Sequence, residues 1–322
     1  MPLTHSFRVG ALRCHALEGG TQRLDGGAMF GVVPKPLWEK RIAPDPRNRI
    51  PLAMRCLLIE HPDGLLLIDT ALGNKEEAKF RDIYGIENAG PGGRTQLEAA
   101  LVEAGHAPED VQWVINTHLH FDHAGGNTWA EWRTGGQAEG GEQETDRPSA
   151  LPPVRLSFPN ATYAVQRGDL DFARRANERT RASYLPHNFE PIAAAGRFRL
   201  LEGDGEVLPG IRVRLTPGHV PFHQGVLVES GGETLFYVAD LVPTRHHLPL
   251  PWIMGYDVEP LRTLESKRRL VHDALAQSWL LFFEHDHDVV MGRLAGTEKA
   301  AELVDIVAAP RREGAAVTSS GS

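Results

Sequence analysis

The stretch from Thr117 to Gly126 constrains this chain more than any other, because it places three histidines and an aspartate within six residues. It follows the apolar, β-branched run from Val111 to Ile115, so a strand is predicted to end where these side chains begin. Because alternate side chains of an extended chain share one face, His118 and His120 are expected to point in the same direction. The turn that follows would bring Asp122 and His123 to an adjacent position. This spacing favours a dinuclear metal site over a histidine-rich surface loop. The four residues are His118, His120, Asp122 and His123.

This stretch resembles the His-x-His-x-Asp-His motif of the metallo-β-lactamase superfamily. The resemblance covers about residues 50 to 295 and implies three further ligands downstream, in the order His, Asp, His. A candidate for each lies just past a strand-like run, at the edge where ligands converge in layered α/β folds. His246 and His247 are rival ligands, but the spacing of the last two candidates fits the family better. The three candidates are His219, Asp240 and His285.

The resemblance implies an α/β fold, the αββα sandwich of two mixed β-sheets flanked by helices. It also implies two divalent metal ions per chain, with zinc as the first expectation, although cobalt, manganese or iron also suit nitrogen and oxygen ligands. By this correspondence Asp240 bridges the metals, and a bridging hydroxide attacks the substrate. Asp122 and Asp240 are therefore the expected catalytic residues. One metal would take His118, His120 and His219, and the other Asp122, His123 and His285.

Within the superfamily, the chain resembles the quorum-quenching lactonases and methyl parathion hydrolase. Class B β-lactamases generally place a cysteine in the site, and no cysteine follows Cys56 here. The separate C-terminal glutathione-binding domain of glyoxalase II has no counterpart either. The expected activity is therefore the opening of N-acyl homoserine lactones or similar esters. The alternatives are hydrolysis of organophosphate triesters, as by methyl parathion hydrolase, and a thioesterase of the glyoxalase II type.

A non-catalytic metal site is the alternative from another class, either a diiron electron-transfer scaffold or a structural dizinc site. An electron-transfer scaffold would need a flavin domain, for which the chain is too short. A structural dizinc site would have no need for an open position between the two metals. Pro243 departs from the lactonase pattern, because acyl-homoserine lactonases commonly carry a tyrosine three residues after the bridging aspartate. The candidates for the missing donor are Tyr256, His247 and His223.

Other side chains are predicted to support the metals or to line the substrate pocket. Asp69 resembles the aspartate that superfamily members place beneath the metals, where it would orient a ligand histidine. His223 lies four residues after the predicted ligand His219 and is a candidate for a similar role. The apolar and aromatic residues of the predicted pocket favour a neutral ester or lactone with an apolar tail. These pocket residues are Met29, Phe30, Trp38, Phe222, Trp252, Ile253, Met254 and Tyr256, and His247 is a further candidate to contact the substrate.

Charge and composition disfavour other partners. The net charge of −8 and a sequence pI near 6.0 argue against a nucleic-acid partner, which would require a basic surface. The sequence has no apolar run of transmembrane length and no apolar secretory signal, so we expect no membrane association and a cytoplasmic enzyme. Cys14 and Cys56 are expected in the core, because two cysteines make no disulfide framework.

The predicted ligands are spread from residue 118 to residue 285, which favours one metallo-hydrolase domain over residues 1–310. Residues 25–51 carry prolines between apolar side chains and are expected to form an ordered loop extension that covers a sheet edge, walls the substrate or contacts a second copy in a homodimer. Residues 133–153 are rich in Gly, Glu, Gln and Pro, which predicts a flexible insertion. Residues 311–322 are expected to be a disordered tail.

Three strand predictions concern the sheets directly. Residues 7–17 alternate roughly and predict a single first strand. Residues 198–201 are expected to pair with residues 211–215. Residues 225–229 are expected to pair with residues 234–239 across a Ser-Gly-Gly-Glu turn, which is typical of a β-hairpin.

Overall fold

The computed structural model describes residues 2–131 and 153–310. The predicted tail lies outside these residues, as does all of the predicted insertion except Pro153. The described strands are β1 (Thr4–Val9), β2 (Leu12–Asp25), β3 (Arg49–His61), β4 (Gly64–Ile68), β5 (Val111–Ile115), β6 (Thr128–Ala130), β7 (Val154–Leu156), β8 (Thr162–Gln166), β9 (Phe198–Leu201), β10 (Gly205–Leu208), β11 (Ile211–Leu215), β12 (Gln224–Ser230), β13 (Glu233–Tyr237), β14 (Leu280–Phe282), β15 (Val289–Thr297) and β16 (Ala300–Ala308). The described α-helices are α1 (Gly26–Phe30), α2 (Lys35–Trp38), α3 (Ala78–Ile83), α4 (Gln96–Glu103), α5 (Phe121–Ala124), α6 (Arg167–Arg174), α7 (Glu190–Ala194) and α8 (Pro260–Gln277).

Two seven-stranded sheets carry the fold. The first has the order β1-β2-β3-β4-β5-β8-β9, antiparallel from β1 to β4 and parallel from β4 to β9. The second runs in sequence order from β10 to β16, and β13 and β14 form a parallel pair within this otherwise antiparallel sheet. β6 and β7 form a separate two-stranded ribbon. Both large sheets are therefore mixed.

The apolar side chains arrange these elements in four layers. Along β3, Leu57 and Ile59 belong to the cluster between the two sheets, whereas Leu58 belongs to the cluster that includes Leu101 of α4. Alternation along a strand allows this, because successive side chains point to opposite faces. A third cluster joins α8 to the outer face of the second sheet. The predicted αββα sandwich is confirmed, with one helical layer on each outer sheet face.

Local sequence signals explain where the two layer-forming helices begin and end. α4 begins at a capping box, in which the Thr95 hydroxyl accepts from the Glu98 N–H and the Glu98 carboxylate accepts from the Thr95 N–H. α8 buries Leu270, Val271 and Ala274 along one side and ends at Ser278, which adopts a left-handed φ of 54°. Among the described residues, no helix is long and apolar enough to cross a membrane.

The strand predictions have mixed outcomes. Residues 7–17 are not one strand, because the chain reverses at Gly10 and makes an antiparallel β1–β2 hairpin. Residues 198–201 and 211–215 are not partners either: β9 ends the first sheet, and β11 pairs with β10 and β12 in the second. β10 was not predicted from the sequence. It pairs with β11, in the position that was predicted for β9 because β9 and β11 are close in sequence. The predicted hairpin of residues 225–229 and 234–239 is confirmed as β12 and β13.

Residues 25–51 contain α1, α2 and the beginning of β3. Met29, Phe30 and Trp38 are buried together with Met254, which lies in the loop before α8. The Phe30 and Trp38 rings stack with their centroids 5.4 Å apart. This segment, which connects β2 to β3, therefore packs the first sheet against a loop that follows β13 of the second sheet.

Candidate metal centre

The predicted ligands come from strand ends in both sheets. His118 and His120 follow β5, and His219 follows β11. Asp240 and His285 follow the parallel strands β13 and β14, so both leave the second sheet at the same edge. Packing the two sheets face to face brings these strand ends together, as expected at the carboxyl edge of α/β sheets.

The backbone near the ligands is tightly shaped. α5 begins directly after His120 and carries two further predicted ligands in a single turn. A Cβ on Gly126 would lie 2.0 Å from the Thr70 carbonyl oxygen, so only glycine fits there. Ala239 adopts a φ of 43° and Asp69 a φ of 54°, both in the left-handed region. Such positions cost roughly 1–3 kcal/mol each and persist where the surrounding structure holds them, as at many active sites.

A first group of ligand atoms comes from three histidines and one aspartate, all buried and all within 4.8 Å of one another. Nε2 of His219 lies 3.1 Å from Nδ1 of His120 and 3.0 Å from Oδ2 of Asp240. Nε2 of His118 lies 3.9 Å from the same Asp240 oxygen. These four residues match the first predicted metal position together with its bridge.

A second group comes from Asp122, His123 and His285, whose ligand atoms also lie within 4.8 Å of one another. Nε2 of His285 lies 3.2 Å from Nε2 of His123 and 3.7 Å from Oδ2 of Asp122. Oδ1 of Asp240 lies 3.1 Å from the same His285 nitrogen. Oδ2 of Asp240 thus lies closest to the first group, although it is also 3.6 Å from Nε2 of His123, and Oδ1 lies closest to the second group. This carboxylate therefore lies between the two groups, as a bridging ligand would.

Burial and mutual charge set the protonation of these groups. Burial lowers the pKa of His118 well below its usual value, and the imidazoles of His123 and His120 lower this pKa further. Burial raises the pKa of the Asp240 carboxyl, but the facing imidazoles of His219, His123 and His285 hold this pKa well below its usual value. The neutral imidazole of His118 and the ionised carboxylate of Asp240 are the forms in which these two groups bind metals.

The donor set fits divalent metal ions. The buried Nε2 atom of His118 has no hydrogen-bond partner among the described residues, and neither does Oδ1 of Asp240. Buried polar atoms without partners are rare, and ligand atoms that converge on a cation account for them. Five imidazoles and two carboxylates without sulfur suit zinc and its first-row neighbours.

Two buried carboxylates flank His123. Nδ1 of His123 lies 3.1 Å from Oδ2 of Asp69 and 3.0 Å from Oε2 of Glu284. Asp69 also accepts hydrogen bonds from the Thr117 N–H and hydroxyl, at 2.8 Å and 2.7 Å. Burial raises the pKa of Glu284 to about 7. The structure thus places Asp69 beside His123, one of the predicted ligands, and adds Glu284, which was not predicted from the sequence.

Asp257 holds His219 from behind. Its Oδ1 lies 3.0 Å from Nδ1 of His219, and its Oδ2 accepts a 2.7 Å hydrogen bond from the Thr263 hydroxyl at the start of α8. Gly218, with a φ of 144°, lets the ligand loop approach Thr263 so closely that a Cβ would lie 2.2 Å from the Thr263 hydroxyl oxygen. This chain of contacts fixes the ring so that Nε2 faces the first group.

His223 is buried and lies behind Asp240, the predicted bridging residue. Its Nε2 accepts a 3.2 Å hydrogen bond from the Asp240 N–H, and its Nδ1 lies 2.7 Å from the Thr216 hydroxyl. Burial lowers the pKa of His223 to about 3, so the ring is neutral and can accept at Nε2. The structure therefore places His223 in a supporting position rather than in contact with a substrate.

Gln22 and the Ala53 carbonyl hold the second group. Nε2 of Gln22 donates to Oδ2 of Asp122 at 2.5 Å, and Nδ1 of His285 lies 2.7 Å from the Ala53 oxygen. The sequence analysis missed Gln22, Asp257 and Glu284. Only the position of Glu284 beside His285 was a local signal, because the other two lie far along the chain from their partners.

A cavity of about 370 Å³ opens onto the two groups and reaches His120, Asp122, His219, Asp240 and His285. Most of its surface is apolar, and Arg179, Thr180 and Ser183 add polar atoms at one side. Its remaining lining residues are Leu24, Ala28, Met29, Leu52, Tyr84, Phe121, Met254, Gly255, Tyr256 and Val258.

The structure divides the predicted pocket residues into two sets. Met29, Met254 and Tyr256 line the cavity, whereas Phe30, Trp38, Phe222, His247, Trp252 and Ile253 do not. Phe30 is fully buried, stacks on His247 with centroids 4.6 Å apart and contacts the edge of Trp252.

His247 also has both ring nitrogens engaged, Nδ1 at 2.8 Å from the Thr244 hydroxyl and Nε2 at 2.9 Å from the Met29 carbonyl. The expectation that Phe30, His247 and Trp252 meet the substrate is therefore corrected: the three pack together behind the wall that Met29 presents. Neither His246 nor His247 joins a group of clustered ligand atoms within the described residues.

The chain is similar to known proteins in sequence and in structure. The N-acyl homoserine lactonase of Bacillus cereus is 28% identical over 249 residues, covering 75% of this chain and 84% of the relative. A probable metal-dependent hydrolase from Staphylococcus aureus has a similar structure, with a TM-score of 0.78, 28% identity, and coverage of 94% of this chain and 100% of that one. The dizinc quorum-quenching lactonase AidC shares the fold at a TM-score of 0.70 and 19% identity, covering 94% and 98% of the two chains.

The family model of the metallo-β-lactamase superfamily matches residues 51–285, a span that contains all seven predicted ligands. The resemblance inferred from the motif is therefore confirmed. The chain belongs to the metallo-β-lactamase superfamily and is a metal-dependent hydrolase.

Proposed function

We propose that this chain binds two divalent metal ions, zinc first among them, and opens the lactone ring of N-acyl homoserine lactones. The observation that carries the proposal is the cavity, which places an apolar wall beside both groups of ligand atoms. The 28% identity to an N-acyl homoserine lactonase over three quarters of the chain supports the same substrate class.

Each predicted ligand has a defined role in this proposal. His118, His120 and His219 would hold one cation, Asp122, His123 and His285 the other, and Asp240 would contact both through its two oxygens. When bound, the cations would activate a water molecule near neutral pH and polarise the ester carbonyl.

Asp122 can transfer a proton from the attacking water to the leaving ring oxygen. Oδ2 of Asp122 accepts from Gln22, so Oδ1 remains to take a proton from the attacking water. The bond from the water oxygen to the carbonyl carbon forms, the ring carbon–oxygen bond breaks, and the proton passes to the leaving ring oxygen. The product is the open-chain hydroxy acid.

The hydroxyl groups of two tyrosines in the cavity can serve as the hydrogen-bond donor to the substrate that Pro243 cannot supply. Tyr84 and Tyr256 both line the cavity beside Asp122. Burial raises the pKa of both hydroxyls, and the Asp122 charge raises each further, so both stay protonated at neutral pH and can donate to a substrate carbonyl. Tyr256 was a sequence candidate for this role, whereas Tyr84 was not.

The cavity wall favours a neutral substrate with an apolar tail. Leu24, Met29, Leu52, Met254 and Val258 surround the space beyond the ligands. Arg179 also lines the cavity, but its Nη2 donates to the Gly255 carbonyl oxygen at 2.7 Å. An acyl chain can bury against this wall, and each buried methylene group contributes about 0.8 kcal/mol.

A substrate series tests the proposal. We expect kcat/KM to rise from butanoyl- to dodecanoyl-homoserine lactone and to exceed the values for a paraoxon-type triester and for a glutathione thioester. The Met254→Ala variant should weaken the preference for long chains, whereas Leu261→Ala should not, because Leu261 is 78% exposed and does not line the cavity. Faster cleavage of the triester than of every lactone would replace the proposal with organophosphate hydrolysis, and a preference for the thioester would replace it with thioester hydrolysis.

A further inference from the structure

A second constellation of ligand-type side chains lies at the opposite end of the first sheet. It consists of His15 on β2, Glu60 on β3 and His106, which follows α4. Glu60 pairs with Leu65 at the beginning of β4, whereas Asp69, just past the end of β4, contacts His123. The length of β4 therefore separates this outer cluster (His15, Glu60, His106) from the candidate metal centre.

The three ligand atoms converge on one point. Nε2 of His15 lies 3.0 Å from Oε1 of Glu60, and Nε2 of His106 lies 3.3 Å from the same oxygen. All three ligand atoms lie within 4.8 Å of one another. With metal–ligand bonds of about 2.1 Å, ligand atoms of a tetrahedral zinc site are roughly 3.4 Å apart. The observed spacing therefore needs little adjustment to bind a cation.

Ser6 is placed to accept a hydrogen bond from His15, which would leave the ring in the form that a metal requires. The Ser6 hydroxyl oxygen lies 2.9 Å from Nδ1 of His15, and the two residues are direct cross-strand neighbours on β1 and β2. If Nδ1 carries the proton and donates it to Ser6, Nε2 presents its lone pair to Glu60 and His106. Metal-bound histidines characteristically donate their other ring nitrogen to an oxygen in this way.

The cluster is open on one side only. The His15 side chain is 1% exposed, while those of Glu60 and His106 are 32% and 24% exposed. A cation can thus enter from solvent and keep water as a further ligand. Nη1 of Arg13 lies 3.5 Å from the Glu60 carboxylate, but its side chain is 53% exposed, and an exposed ion pair contributes little. Arg13 can therefore swing away when a cation binds.

We propose that His15, Glu60 and His106 form an additional divalent metal site, separate from the dinuclear centre, that binds zinc or a similar first-row cation. Two imidazoles and one carboxylate are a donor set that such cations bind in proteins. The site would join two strands of the first sheet to the segment after α4. The same region already has contacts between β1 and α4, because the Leu3 and Thr4 N–H groups donate to the Glu103 carboxylate. The proposed role is to fasten the helical layer to the edge of the sheet.

Metal counting on the full chain tests this inference without reference to hydrolysis. Protein with its central site loaded is dialysed against micromolar Zn²⁺, and bound zinc is measured by elemental analysis together with the Tm. We expect wild type to hold one more equivalent than the His106→Ala variant, and added Zn²⁺ to raise the Tm of wild type only. Glu60→Gln should lose the same equivalent, which keeps the test valid if either variant folds poorly.

His272→Ala is the matched control, because His272 is also a surface histidine beside a carboxylate, 2.7 Å from Glu298, but belongs to no three-residue cluster in the described chain. This variant should retain the wild-type zinc content. Equal zinc in wild type, His106→Ala and Glu60→Gln would overturn the proposal, as would loss of the same equivalent in His272→Ala. Failure here leaves the dinuclear proposal intact, because the His106→Ala and Glu60→Gln variants do not alter any residue of the candidate metal centre.

Discussion

The Gln22 amide donates a 2.5 Å hydrogen bond to Oδ2 of Asp122, a residue one hundred positions later in the chain. Both side chains are buried. Gln22 lies on β2 in the first sheet, and Asp122 lies in α5 after the motif strand. This contact orients the carboxylate that is proposed both to hold a cation and to transfer the proton.

The Gln22→Leu variant tests this contact, because leucine has a similar size but cannot donate. We expect kcat to fall about 10- to 100-fold, as is typical when a group that orients a metal ligand is removed. The Tm should fall only slightly, because the variant loses one buried hydrogen bond. Gln112→Leu, at an exposed position on β5, is the control. Wild-type kcat and metal content in Gln22→Leu would show that Asp122 needs no such support.

Asp240→Asn tests the bridge. The substitution keeps the side-chain size and removes the charge that faces both groups, so we expect metal content to fall and kcat/KM to drop by more than about 100-fold. Asp63→Asn, in an exposed turn, is the matched control and should retain both properties. Full metal occupancy with wild-type kcat in Asp240→Asn would rule out the bridging assignment.

Asp257→Asn tests the support of His219. The amide can present its nitrogen to the imidazole, which leaves His219 without its acceptor at Nδ1. We expect metal affinity to fall about 10- to 100-fold, measured as faster zinc transfer to a chelator. Thr263→Val removes only the contact to the other Asp257 oxygen and should have a smaller effect in the same direction. Equal transfer rates in all three proteins would contradict the role assigned to Asp257.

Lys267 predicts a dependence of stability on pH. Its Nζ is buried and lies 2.8 Å, 3.3 Å and 2.9 Å from the carbonyl oxygens of Pro249, Leu250 and Trp252. Burial lowers its pKa from the ordinary 10.5 to about 7. Between these values the unfolded chain holds a proton that the folded chain lacks, so the free energy of unfolding should rise with pH by up to about 1.4 kcal/mol per unit.

The Lys267→Met variant should lose this slope. It should also be less stable by about 1–3 kcal/mol at neutral pH, because three carbonyl groups lose their donor. Denaturant unfolding at several pH values between neutral and alkaline measures both effects. Lys79→Met, at an exposed position in α3, should keep the wild-type slope. Parallel pH profiles for wild type and Lys267→Met would contradict the lowered pKa of Lys267.

The sequence by itself determined the predicted ligand set, because metal ligands must have particular side chains at particular spacings. Residues 118–123 carry four nitrogen and oxygen donors in one short loop, and the three later candidates each follow a strand-like run. The resemblance of this motif to the superfamily also indicated the layered fold. These are local properties, and they can be read without knowing which elements are neighbours.

Only the tertiary structure decided which residues support the ligands. Gln22, Asp257 and Glu284 act on side chains that lie far away in the sequence, and no local pattern marks a contact made by sheet packing. The same reason explains why β9 was wrongly paired with β11, since sequence proximity favours a hairpin whereas the two strands belong to different sheets. The same reason applies to the prediction for His247. Histidine is a common catalytic residue type, but the contacts of this histidine with Phe30 and Met29 give it a packing role. A side chain's chemistry is carried by the sequence, but its partners depend on how the two sheets meet.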